Sequence, residues 1–164
     1  MILGIDQGIT NIAYSLLDYD ENLIFTEYQK TKSKDDYNKL KEIKEKVEDI
    51  LNKYDIDIIV CEVIYQNFGR GNGGMRANLT TGLLYAVSID KKIELIQIPP
   101  ATVKKVVAGS CKAKKDAVIE EINKIYKENI KNNHCADAVA IALTYIKQKK
   151  QSIAEKEHFI RKEV

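Results

Sequence analysis

The sequence has few cysteines, little net charge and no long apolar segment. Its cysteines, Cys61, Cys111 and Cys135, are odd in number and lack metal-site spacing, so we expect reduced thiols rather than disulfides or zinc. The longest apolar runs, residues 56–61 and 136–143, each contain an aspartate and fall far short of the roughly 20 residues that a membrane span needs. The N-terminus has no signal-peptide pattern. We therefore expect a cytoplasmic protein without a membrane partner.

The net charge of +2 is too small to indicate nucleic-acid binding, because the acids and bases nearly cancel. The distribution of the lysines is more informative. Residues 101–115 contain no acid, and five of them are lysines: Lys104, Lys105, Lys112, Lys114 and Lys115. Residues 147–150 add three more lysines. These segments either form basic patches for a polyanion or only keep helix faces solvated.

The length and composition favour one domain with a real core. A chain of 164 residues lies within the usual size of a single domain. Its 45% hydrophobic and 30% charged residues are typical of an ordinary globular protein. We expect this domain over residues 1–150 and a basic, mobile tail over residues 151–164.

Hydrophobic periodicity predicts the element order β-β-β-α-β-α-β-α-α-α. Strands are predicted over residues 2–6, 11–17, 23–28, 56–62 and 93–98, and helices over residues 33–54, 75–89, 101–108, 114–127 and 133–149. Ser33 is the expected N-cap of the first helix, and the glycine-rich residues 66–74 predict a mobile loop. The first three strands form an antiparallel meander, so we expect an α/β fold whose mixed sheet also contains parallel strands and is flanked by helices.

Four chemically useful side chains can converge in this fold. Asp6 ends the first predicted strand and Glu62 ends the fourth, and in α/β sheets such strand tips gather at the functional edge. Asp137 lies in an apolar helix, where a charge is costly unless a cation or partner compensates it. His134 precedes it by three residues and shares its helix face.

A cluster of carboxylates repels itself unless divalent cations neutralise it. Mg²⁺ suits oxygen-rich sites with open positions, and two such ions about 4 Å apart can activate water and stabilise the leaving oxygen of a phosphodiester. The pattern therefore favours hydrolysis of a backbone phosphate. The alternative is that Asp6 and Glu62 are turn residues and that Asp137 is a helix N-terminal charge favoured by the helix dipole.

Several segments resemble the RuvC family of Holliday-junction resolvases: Gly4-Ile5-Asp6-Gln7-Gly8, Cys61-Glu62-Val63-Ile64-Tyr65 and the stretch from His134 to Ala142. Residues 103–109 and 114–118 resemble the basic DNA-contacting segment of that family, so the resemblance extends from residue 1 to about residue 147. It implies an RNase H-like fold, a homodimer, and Mg²⁺-dependent cutting of two symmetric strands at a four-way DNA junction. Cellular and mobile-element origins both stay open.

By this resemblance, Asp6, Glu62 and Asp137 are catalytic metal-binding carboxylates, and His134 occupies the fourth catalytic and metal-binding position. That position is often aspartate in the family, although histidine near it is known among relatives. A neutral imidazole makes the site softer, which predicts that Mn²⁺ substitutes for Mg²⁺. His134 also offers a proton-shuttling group, and the alternative is an ordinary first-turn histidine. Gln7 replaces the usual proline, a departure that we expect to cost nothing catalytic.

The resemblance also implies DNA contacts. Lys104 and Lys115 match lysines that approach the DNA backbone, where lysine acts as a point charge. Tyr65 matches an aromatic residue that wedges between bases at the junction centre, although it can also be an ordinary surface tyrosine. The remaining expected DNA-binding residues are Phe68, Arg70, Lys105, Lys112 and Lys114.

Three other functions compete with this interpretation. Residues 4–11 also resemble the phosphate loop of actin-like, sugar-kinase and chaperone ATPases, but those folds need two such domains, so we expect no nucleotide cofactor. A binding module that has lost its chemistry is disfavoured because all the acidic positions are retained. The closest alternative is a nuclease of the same fold that acts on forks, flaps or RNA. The sequence hardly distinguishes this alternative from a junction resolvase.

Overall fold

Strands and helices follow one another in the computed structural model in the predicted order. The structure describes residues 1–65, 73–127 and 129–162. The strands in this part of the chain are β1 (Ile2–Asp6), β2 (Asn11–Leu17), β3 (Leu23–Lys30), β4 (Ile58–Glu62) and β5 (Glu94–Ile98). The helices are α1 (Asp36–Lys53), α2 (Gly73–Lys91), α3 (Pro100–Ala108), α4 (Lys115–Tyr126) and α5 (Asn133–Lys162).

The five strands form one mixed sheet in the order β3-β2-β1-β4-β5. β2 pairs antiparallel with both β1 and β3, whereas β4 pairs parallel with both β1 and β5. The predicted meander with added parallel strands is therefore confirmed. Since β1 and β4 are parallel neighbours, their C-terminal ends lie at the same edge, with Ile5 opposite Cys61 in the register.

Helices cover both faces of the sheet because β1 is apolar on both sides. Leu3 and Ile5 belong to a core shared with α1 and α2, and Ile2 belongs to a second core shared with α3, α4 and α5. This alternation follows from the two-residue period of a strand. Gly4 faces α5, and a methyl group on it would lie 2.3 Å from the carbonyl oxygen of Ala138. The absence of a side chain at this position therefore lets α5 approach β1 closely.

Two element boundaries differ from the prediction by more than two residues. The N-cap of α1 is Asp35, whose carboxylate accepts a hydrogen bond of 2.9 Å from the backbone N–H of Asn38. Ser33 lies outside the helix, and its N–H donates to the carboxylate of Glu42 at 2.8 Å. The last helix continues to Lys162 instead of ending at residue 149, because residues 150–162 contain neither proline nor glycine to stop it.

Residues 151–162, which were expected to form a mobile tail, are thus helical and continuous with α5. Lys150 forms an ion pair of 2.8 Å with Glu21 in the turn between β2 and β3. The division into a domain of residues 1–150 and a tail stays a prediction. All three cysteines lie among the described residues as free thiols. None of the helices that the structure describes has the length and apolar character needed to cross a membrane.

Candidate active site

Three of the four expected catalytic residues meet at the C-terminal end of β1. Asp6, His134 and Asp137 each offer one ligand atom, and these atoms all lie within 4.8 Å of one another. Asp6 is the last residue of β1, and the other two lie one turn apart at the start of α5. The close packing of α5 on Gly4 brings that helix start to the strand tip. A group of two carboxylates and one imidazole is a suitable ligand set for a divalent cation.

The start of α5 is fixed by a residue that the sequence analysis missed. The side-chain oxygen of Asn132 accepts hydrogen bonds from the backbone N–H groups of His134 at 2.9 Å and Cys135 at 3.3 Å. Asparagine is a strong N-cap residue, and its place directly before the helix was the available signal. This cap holds the first turn, which carries His134 and leads to Asp137.

The imidazole of His134 is held from two sides. Its Nδ1 lies 2.6 Å from Oδ2 of Asp6. The ring of Tyr28, on β3, stacks on it with a centroid distance of 5.7 Å and an interplanar angle of 13°, and the hydroxyl of Tyr28 donates to Oδ1 of Asn11 at 2.6 Å. With the proton on Nδ1 donated to Asp6, Nε2 keeps the lone pair of the neutral ring. The ring orientation is therefore set by contacts that span β1, β2 and β3.

Asp137 forms an ion pair with Lys115, the first residue of α4. Burial raises the pKa of Asp137, and the hydrogen bond and charge of Lys115 only partly oppose this rise. Burial would lower the pKa of Lys115, but the bond to Asp137 and the charges of the nearby carboxylates raise it overall. Burial therefore dominates the rise in the pKa of Asp137, whereas the neighbouring carboxylates together outweigh burial in the pKa of Lys115.

Glu62 faces the same cluster from the end of β4. Burial, followed by the charges of Asp6 and Asp137, raises its pKa to about 7, while Lys115 and Lys104 partly oppose this. Its carboxyl group lies outside the group of three ligand atoms described above. The charges of Asp6 and Asp137 therefore act on Glu62, although its carboxyl group is not one of the three ligand groups that lie within 4.8 Å of one another.

Two glutamines hold the backbone of Glu62, and the sequence analysis missed both. The side-chain amide of Gln7 donates to the carbonyl oxygen of Glu62, and the N–H of Glu62 donates to Oε1 of Gln7 at 3.2 Å. The amide of Gln97, on β5, donates to the same carbonyl oxygen at 3.3 Å. Gln7 is buried, with 6% of its surface exposed. Its place directly after Asp6 was the available signal in the sequence.

The expected DNA-binding residues are spread over a wider area. Lys104 and Lys115 are close enough to the cluster for their charges to act on Glu62. Lys104 is half-buried on α3 and Tyr65, three residues after β4, is 62% exposed. Three lysines are exposed on α3 and in the segment before α4, without a described contact to the cluster: Lys105, Lys112 and Lys114. Phe68 and Arg70 lie outside the described residues.

Comparison with known proteins gives a consistent family assignment. The family model described as crossover junction endodeoxyribonuclease RuvC matches residues 2–145. The crossover junction endodeoxyribonuclease RuvC of Finegoldia magna is 32% identical over 151 residues, which are 88% of this chain and 92% of that protein. The protein of the same name from Prochlorococcus marinus subsp. pastoris is 30% identical over 155 residues, or 90% of this chain and 96% of that one.

Solved structures show the same fold. The Thermus thermophilus RuvC structure superposes with a TM-score of 0.79 at 24% identity, covering 92% of this chain and 96% of that one. Thermus thermophilus RuvC in complex with a Holliday junction substrate gives a TM-score of 0.75 at 21% identity, covering 87% and 90%. The predicted RNase H-like α/β fold is therefore confirmed. Because the family model spans nearly the whole chain, this protein belongs to the RuvC family of crossover junction endodeoxyribonucleases.

Proposed function

We propose that this protein resolves Holliday junctions by metal-dependent hydrolysis of one phosphodiester bond in each of two symmetric strands. The observation that carries this proposal is the convergence of Asp6, His134 and Asp137 at one strand tip, with Glu62 beside them, in a chain of the RuvC family. A solved relative is a complex with a Holliday junction substrate, which supports the choice of substrate.

The residues present fit a divalent cation. Burial is the main cause of the raised pKa values of Glu62 and Asp137, and a bound cation would offset the cost of ionising these buried carboxyl groups. In this proposal Asp6, His134 and Asp137 hold one ion and Glu62 contributes to a second. Bound Mg²⁺ supplies Lewis acidity toward water and the scissile phosphate. The imidazole of His134 makes the ligand set softer than four carboxylates, so Mn²⁺ substitutes.

The chain's own residues then orient the reaction. Tyr28 and Asp6 hold the imidazole of His134 in one plane, which leaves Nε2 available to bind a cation or accept a proton. Lys115 brings a positive charge to the rim of the carboxylate cluster, and this charge reduces the repulsion between the cluster and an approaching phosphate.

The DNA-binding surface belongs to the same proposal. Lys104 and Lys115 lie at the cluster and contact the phosphates next to the cut, and the exposed Tyr65 stacks on an opened base pair. The more distant lysines contact the backbone of the junction arms: Lys105, Lys112 and Lys114. Contacts from Phe68 and Arg70 stay a prediction from the resemblance. The expected cytoplasmic location is also part of this proposal.

The functional unit in this proposal is a homodimer. The part of the chain that the structure describes holds one such metal-ligand group, whereas symmetric resolution needs two cuts. α2 exposes large apolar side chains, with Leu79 at 44%, Tyr85 at 42% and Ile89 at 75%. A second copy of the chain covers this face.

Ile89→Lys should shift the protein toward monomer in sedimentation equilibrium, whereas Ile153→Lys on α5, which changes another exposed isoleucine, should not. A wild-type monomer at micromolar concentration would contradict the dimer.

The decisive experiment compares DNA substrates. Labelled four-way junctions, forks, flaps, linear duplexes and RNA are incubated with the protein and Mg²⁺, Mn²⁺ or EDTA. We expect paired symmetric nicks in the junction with either metal and none with EDTA. Asp6→Asn should abolish these nicks, whereas Asp55→Asn, which changes an exposed aspartate elsewhere, should not. Equal cleavage of linear duplex would refute junction selectivity, faster cleavage of forks or RNA would favour the closest alternative, and ATP hydrolysis would favour the ATPase interpretation.

A further inference from the structure

The sheet has an incomplete backbone ladder next to Glu62. The last paired residues of β1 and β4 are Ile5 and Cys61, because the chain turns away from β4 after Asp6. On the opposite side, the N–H of Val63 donates to the carbonyl oxygen of Ile98 on β5 at 3.0 Å. Successive residues of a strand direct their backbone groups to alternate neighbours. The N–H and C=O of Glu62 therefore point toward β1, past the end of its ladder.

The side chain of Gln7 fills this gap. Its amide donates to the carbonyl oxygen of Glu62 and accepts from the N–H of Glu62 at 3.2 Å. A side-chain amide carries the same donor and acceptor as a peptide group, so Gln7 pairs with Glu62 as one more strand residue would. Because the side chain is 6% exposed, water has little access to compete for these two bonds.

We propose that Gln7 is a positioning residue for Glu62, fixing the distance between the carboxylates of Asp6 and Glu62. Gln7 is covalently adjacent to Asp6, so a clamp on the backbone of Glu62 ties the tips of β1 and β4 together. The inference rests on the proposed role of Glu62 in metal binding. It assigns a function to the residue that replaces the family's usual proline.

Gln97 provides a matched comparison. It donates to the same carbonyl oxygen at 3.3 Å but makes no described bond to the N–H of Glu62. Replacement of Gln97 by methionine also removes the hydrogen bond that Gln97 accepts from the Tyr85 hydroxyl at 3.3 Å, but it leaves the Glu62 carbonyl bonded to Gln7. The same replacement of Gln7 removes both of its bonds to the Glu62 backbone. Methionine has nearly the length of glutamine and lacks its strong donor and acceptor. The two Gln→Met variants therefore differ mainly in how much of the clamp they remove.

The expected effects concern metal use rather than DNA affinity. Gln7→Met should raise the Mg²⁺ concentration for half-maximal cleavage, and lower kcat, by about ten- to hundredfold, the usual range for partners of metal ligands. Its Kd for the junction in Ca²⁺ should not change. Gln97→Met should change these values by less than about threefold, because one of the two donors remains. Gln7→Asn should behave like Gln7→Met, because its amide is one carbon too short to reach both groups.

A double-mutant cycle separates this proposal from the proposed function. Mn²⁺ binding to the DNA-free protein is measured by calorimetry for the wild type, Gln7→Met, Glu62→Gln and the double variant. If Gln7 acts through Glu62, Gln7→Met should weaken Mn²⁺ binding in the wild type and have no further effect in the Glu62→Gln background. Unchanged cleavage in Glu62→Gln would instead refute the role of Glu62 itself.

Loss of folding is tested separately by thermal melts followed by circular dichroism. Ile43→Val, which removes a buried methyl group from α1 away from the cluster, provides a variant with about 1 kcal/mol lower stability. It should cleave junctions at the wild-type rate. The positioning role is wrong if Gln7→Met and Gln7→Asn keep Mg²⁺ dependence and kcat within about twofold of wild type, or if Gln7→Met weakens Mn²⁺ binding equally in the Glu62→Gln background.

Discussion

Gly4→Ala tests whether the contact between β1 and α5 builds the active site. The added Cβ would lie 2.3 Å from the carbonyl oxygen of Ala138, 2.8 Å from Cβ of Ala142 and 3.0 Å from the backbone nitrogen of Ala142. An ordinary carbon–oxygen contact is about 3.3 Å, so strand and helix must separate by about 1 Å. Overpacking costs about 1–3 kcal/mol, and we expect the upper end because backbone atoms cannot rotate away.

Cleavage should fall together with stability. Asp6 lies on β1, whereas His134 and Asp137 lie on α5, so the separation acts directly on the ligand group. A displacement of about 1 Å can reduce an enzymatic rate about a hundredfold. Urea unfolding gives the stability, and single-turnover cleavage of a four-way junction at saturating Mg²⁺, well below the melting temperature, gives the rate.

Two further variants give this test its controls. Ser15 lies opposite Gly4 in the register, and its buried hydroxyl has no hydrogen-bond partner among the residues that the structure describes. Ser15→Ala should therefore keep or raise the stability, by up to about 1 kcal/mol. Ala142→Gly in the Gly4→Ala background relieves one contact but leaves the carbonyl of Ala138 in place, so it should not restore cleavage. Wild-type stability and rate in Gly4→Ala would refute the reasoning.

Three more predictions concern pH, stacking and helix capping. Burial and neighbouring charge raise the pKa of Glu62 from its ordinary 4.5 to about 7. Ionisation of Glu62 should therefore lower the free energy of unfolding of the metal-free protein by up to about 3 kcal/mol as the pH rises from 4.5 through 7. Mg²⁺ should therefore raise the melting temperature more at pH 8 than at pH 5; equal shifts would argue against this. Tyr28→Leu should slow cleavage about tenfold by freeing His134, whereas Tyr28→Phe keeps the stacked ring and most of the single-turnover rate; equal rates for both would show that stacking is unimportant. Asp35→Ala should lower the free energy of unfolding by about 1 kcal/mol, and Ser33→Ala should hardly change it in the same urea titration, with the reverse order contradicting the observed cap.

The element order could be predicted because it depends on local patterns. The nearly continuous apolar run of β4 and the three- and four-residue steps in α1 are properties of contiguous sequence. Boundaries were less certain because neighbouring residues compete for the same role. Ser33 and Asp35 are both good N-caps, and the structure places Asp35 at the helix start while Glu42 accepts from the N–H of Ser33.

The acidic cluster was also visible in the sequence, since each member stands out within its own segment. Asp6 and Glu62 end apolar strands, and Asp137 interrupts an apolar helix. The residues that hold these groups in place carry no such local mark. Gln7 is an ordinary polar residue until the sheet brings Glu62, 55 positions later, next to it, and Tyr28 is an ordinary strand residue until α5 places His134 on its ring.

The sequence by itself therefore determined the order of the elements and the identity of the carboxylates in the cluster. The spacing of apolar residues and the presence of a charge in an apolar segment are both local properties. Only the tertiary structure decided how these groups are held: the approach of α5 to Gly4, the stacking on His134 and the clamp of Gln7 on Glu62. These contacts depend on strand register and helix packing, which follow from burying the whole core at once.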